Sequence, residues 1–131
     1  MSNQIAAELC VNYLEGKITE TQDRIAEWAK HLESDPEYAF SWSEKCFRHA
    51  ADIKVYAMIN RVIWKFARED ESVFELVANY VDGKLSDVAG DIPSSTSVTS
   101  NLMENNVRAA WFRFKKDTIQ YMERHVVREL E

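Results

Sequence analysis

Residues 53–68 read IKVYAMINRVIWKFAR, and their spacing decides the fold. At ~100° per residue, Val55, Met58, Ile59, Val62, Ile63 and Phe66 fall on one side of a helix. Ile53, Tyr56, Ala57 and Trp64 widen the apolar arc beyond what one neighbour covers, so this helix is expected at the centre of a bundle, with Trp64 buried. The strip left over holds Lys54, Arg61, Lys65 and Arg68, with no acid among them.

Working outward, Ser41-Trp42-Ser43-Glu44 has the form of a capping box, which starts the helix near 42 and lets it run to about 69. Upstream, Asp35 suits the cap of a short turn opened by Pro36. Ile5, Leu9 and Tyr13 mark a first helix over 3–15 that Gly16 is expected to end, and Thr19-Glu20-Thr21-Gln22 is expected to cap a second one reaching Asp35. Downstream, Ser72-Val73-Phe74-Glu75 caps a helix that Gly83 is expected to close, with a further turn over 85–89.

The Ser/Thr-rich stretch 91–100 reads as an exposed loop, because its hydroxyls compete for backbone hydrogen bonds. A last long helix follows over 102–131, with Asn101 as its cap. One broad face holds Met103, Val107, Ala110, Trp111, Phe114, Thr118, Tyr121, Met122 and His125. A second apolar line, Phe112, Ile119 and Val126, recurs at sevens about 100° away. The whole chain, 1–131, thus reads as one all-α domain: a bundle of four to five helices with two long ones, about 42–69 and 102–131.

Three Gly and two Pro are too few for a fold of many tight turns, and 46% hydrophobic residues supply a core without disulfides. Cys10 and Cys46 stand far apart with no CxxC, as buried thiols of a reducing cytosol do. The start carries no basic and apolar leader, and no apolar run approaches the ~20 residues of a membrane span, so a cytoplasmic location and no membrane partner are expected. The net charge of −6 argues against coating nucleic acid through bulk charge. Yet the charge is segregated: 1–35 carries seven acids against three bases and 70–101 six against one, while 36–69 and 102–131 are net positive.

Catalytic and cofactor signatures are missing. Cys46-x-x-His49 is a two-ligand pair, short of a zinc site, and no Glu-x-x-His occurs for a di-metal bundle. There is no GxSxG, P-loop or GxGxxG. His125, one turn from Tyr121, reads as a core or boundary residue. Enzyme with an unmarked site is therefore the minority reading, and neither a metal nor a cofactor is expected.

What remains is binding. The expected function is a small non-enzymatic interaction protein that regulates, inhibits or assembles another macromolecule, in the size range of a phage- or plasmid-type inhibitor, an immunity protein or a small subunit of a complex. Its partner is expected to be a protein, met through the acidic segments or the apolar line Phe112, Ile119 and Val126; that line also suits a homodimer. The alternative is a nucleic-acid-binding small subunit that uses Lys54, Arg61, Lys65 and Arg68, with Arg108 and Lys115 near the aromatics of the last helix. Solvent-facing, unpaired bases on the first strip separate the two.

Overall fold

The computed structural model describes residues 2–90 and 98–131. Among them the chain forms four helical rods: α1 (Asn3–Ser34), α2 (Ala39–Phe66), α3 (Val73–Gly90), and α4 (Val98–Arg113) joined to α5 (Ile119–Leu130) by a π-helical stretch, Phe114–Thr118. This is the expected all-α bundle with two helices near thirty residues. Of the loop expected over 91–100, residues 91–97 lie outside the described residues, and 98–100 already belong to α4.

α2 is the hub, packing on α1, α3 and α4. Its inner line is Ala51, Val55, Ile59 and Ile63, which meets Ala7, Cys10, Val11 and Leu14 of α1, Val73, Val77 and Val81 of α3, and Trp111, Phe114, Met122 and Val126 of the last rod in one core. α1 and α2 run antiparallel and are tied at the ends. Beyond α2, Glu69 accepts hydrogen bonds from the Ser2 hydroxyl at 2.9 Å and the Gln4 N–H at 3.1 Å, and its carbonyl accepts from Asn3 Nδ2 at 2.6 Å. A carboxylate thus sits on the positive end of the α1 dipole.

Past the core the α1–α2 hairpin continues as a two-helix arm. No residue from Gln22 to Ala50 is fully buried, because among the described residues the two helices here pack chiefly on each other and on the turn that joins them. Trp28 stacks on Tyr38 at 5.2 Å, Trp42 and Phe47 are half-buried, and Phe40 is 88% exposed. Asp35 caps the connecting turn as expected, accepting from the Glu37 N–H with Pro36 at the start.

Four sequence expectations are corrected. Gly16 and Gly83 end no helix: α1 and α3 pass straight through them with no positive φ. Packing along α2 outweighs the weak preference of glycine for a terminus. The Thr19 box does not cap either; instead the Thr21 hydroxyl donates to the Lys17 carbonyl one turn back, at 2.7 Å. α2 starts at Ala39 without a side-chain cap, and the hydroxyl of Ser43 donates to the Ala39 carbonyl, so the Ser41 box is interior.

The fourth correction concerns the last rod. A π-turn accommodates one residue more than an α-turn and advances the faces by about 100°. Before it the core positions are Val107, Ala110, Trp111 and Phe114; a regular helix would continue them to Thr118, Tyr121 and His125. The Ile119 N–H bonds to the Phe114 carbonyl, five residues back, and the core continues instead at Ile119, Met122, Val126 and Leu130. The two apolar lines of the sequence are therefore one core face that shifts register at the π-turn. Tyr121 is 57% exposed, and His125 is a surface residue with its ring 5.2 Å from that of Tyr13.

Because a Cβ at Gly16 or Gly83 meets nothing within 4 Å, replacing both by Ala is expected to stabilise the fold. The gain is about 0.5–1 kcal/mol per site, from the lower entropy of the unfolded chain. Urea unfolding of the double variant checks this through a higher midpoint at unchanged slope.

Candidate functional site

The strip on α2 is open. Lys54, Arg61, Lys65 and Arg68 are all exposed, and among the described residues none of the four has an ion pair. Lys65 Nζ lies 5.4 Å from the centre of the half-exposed Phe66 ring. α2 ends at Phe66, short of the expected 69, so Arg68 follows the helix rather than completing it.

Trp64 is the main correction to the expected core. It is 74% exposed. Nine residues at ~100° each place it half a turn round the helix from Val55, opposite the core line. It stands one turn after Arg61 and next to Lys65, so an indole face is presented among cations that have no ion pair among the described residues.

Beside it lies a groove of about 590 Å³ between the start of α1 and the end of α2. Ala7, Val11, Ile63 and Ala67 give it an apolar floor; Trp64 and Arg68 form one wall, and the amides of Gln4 and Asn12 line the other. Glu8 and Glu69 also border it, but Glu69 is turned into the cap of α1.

The other candidates do not join this ridge. Lys115 pairs with Asp82 at 2.7 Å, and Arg108 is half-buried on α4. Phe112, Ile119 and Val126 are separated by the π-turn: Phe112 is 52% exposed, Ile119 is partly buried against the core, and Val126 is wholly buried. These three residues form no continuous apolar strip on the surface.

A second concavity, which sequence reading missed, opens where the arm leaves the core. It measures about 300 Å³ and is polar. Lys17, Glu20 and Arg24 reach it from α1, and Lys45, Arg48, His49 and Asp52 from α2, with Tyr56 at its inner end. Asp52 pairs with Arg113 at 2.7 Å, and Tyr56 shares a hydrogen bond with Thr118, so both ends of the π-turn are tied to it. The signal was present as helical spacing, 17/20/24 and 45/48/49/52/56, on two separate helices. Only the pairing of those helices makes it one site.

Burial holds the His49 imidazole below the ordinary histidine range; Asp52 opposes this, while Arg24, Arg48 and Lys45 add to it. Cys10 and Cys46 are free thiols, and burial, helped by Glu123, pushes that of Cys10 up to about 12, the behaviour of a packing residue. Among the described residues no three His, Cys, Asp or Glu side chains gather as a metal site, and no helix is long and apolar enough to cross a membrane. Comparison with protein-family models, with curated proteins and with solved structures finds no match for this chain.

Proposed function

We propose that the protein works by binding, and that its docking face is the ridge Lys54, Arg61, Trp64, Lys65 and Arg68, fitted to a polyanionic partner of the single-stranded nucleic-acid class. The observation that carries this is the exposed indole of Trp64 set among cations that lack a counter-ion among the described residues. Single strands are held by this combination: cations along the backbone and an aromatic face on which a base stacks, worth about 1–3 kcal/mol per base. The adjoining groove has an apolar floor for a base and the amides of Gln4 and Asn12 within its lining for base edges. Net acidity elsewhere confines the attraction to this face and weakens binding outside it.

Fluorescence anisotropy of a labelled oligothymidylate at low salt tests the reading. Binding is expected to fall on the order of tenfold in Trp64→Ala, through loss of one stacked base. Absence of wild-type binding at low salt removes the nucleic-acid reading.

A second reading rests on a separate observation, the arm. Half-buried Trp28, Tyr38, Trp42 and Phe47 with exposed Phe40 give a surface rich in the residue types that centre protein interfaces. A protein partner seated there regulates or assembles without using the ridge. Phe40→Asp distinguishes the two, since it is expected to leave oligonucleotide binding intact.

A further inference from the structure

We propose that the polar cleft at the base of the arm is a binding site for a phosphoryl group carried by a small molecule, independent of the ridge, and that ligand binding there protonates His49. The charges of the cleft do not balance internally. From α1, Glu20 is shared between Lys17 at 3.6 Å and Arg24 at 2.8 Å. From α2, Asp52 is paired with Arg113 of the last rod and also acts on His49. Lys45 lies over the Trp28 ring, 5.2 Å away, and neither Lys45 nor Arg48 has an ion pair among the described residues. Two cations, Lys45 and Arg48, therefore face the cleft beside His49 without an ion pair among the described residues, around a space of about 300 Å³, ample for a tetrahedral oxyanion and its substituent.

Arginine and lysine bind phosphoryl oxygens through charge-assisted hydrogen bonds, and a doubly charged group there meets the unbalanced Arg48 and Lys45 first. It also offsets the cations that help hold His49 neutral, so His49 takes up a proton as the ligand enters. By linkage, a ligand that raises the pKa of His49 gains affinity from His49 protonation as pH falls through the histidine range, down to the second pKa of the phosphoryl group at ~6, below which the ligand loses its double charge. The cleft is also mechanically connected. Asp52 to Arg113 and Tyr56 to Thr118 tie it to the π-turn, a backbone irregularity frequent at functional sites.

The test follows the three histidines, His31, His49 and His125, by NMR in the full chain, while inorganic phosphate or adenosine monophosphate is added at constant ionic strength. The pKa of His49 is expected to rise by about half a unit or more while the other two stay in place. Arg48→Gln, a surface change that leaves the fold intact, is expected to weaken binding by at least about tenfold. A response to both ligands, or to the monoester alone, supports a substituted phosphoryl ligand; a response to free phosphate alone overturns that assignment. An unmoved His49, an equal shift of all three histidines, or full binding by Arg48→Gln overturns the site.

Discussion

Trp111→Ala is expected to destabilise the protein by about 3–5 kcal/mol, a large share of the 5–15 kcal/mol that holds a typical domain folded. Trp111 is 1% exposed and meets Tyr80 of α3 edge-on at 5.7 Å, so truncation leaves a cavity in the core. Trp64→Ala, on the same chemical change, is expected to cost no more than about 0.5 kcal/mol, because its side chain loses little packing. Denaturant unfolding of the two variants side by side measures the contrast. Equal costs, or a larger one at Trp64, would remove the indole from the surface and with it the ridge.

That contrast shows what was legible in the sequence. The apolar spacing of α2 correctly marked it as the hub, and Asp35-Pro36 marked the turn before it. Trp64 departs from the expected core because wheel position, not hydrophobicity, decides its burial: half a turn from Val55, it could be buried only if a further helix covered the outer side. Gly16 and Gly83 misled because a glycine signals a helix end only locally, while α1 and α3 are held by the length of α2. The π-turn is invisible to a fixed 100° rotation, yet the sequence carried its trace. Phe114 and Ile119, five residues apart, belong to one core face only if a residue is absorbed between them. The cleft required the tertiary pairing of residues 17–24 with 45–56, which no local pattern contains.

Reversing two charges of the ridge is the second large effect. Arg61→Glu with Lys65→Glu is expected to fold like the parent, since both side chains are exposed and neither has an ion pair among the described residues. Its affinity for a single-stranded oligonucleotide is expected to fall by at least about tenfold, and the slope of log K against log salt by about 0.7 for each phosphate that is no longer neutralised. For a protein partner that docks through the arm, the same substitutions would leave both its affinity and its salt dependence unchanged. A lower affinity with an unaltered slope would mean that the two bases act on the fold of the ridge and not on phosphates.

The four tryptophans offer the most direct test, because each reports a different part of the molecule: Trp28 and Trp42 the arm, Trp111 the core, and Trp64 the ridge. Adding oligothymidylate to the ¹⁵N-labelled protein at low salt is expected to shift the indole N–H resonance of Trp64 while those of Trp28, Trp42 and Trp111 stay in place. A shift confined to Trp28 or Trp42, or a spectrum that does not change at all, would contradict the ridge as the docking face.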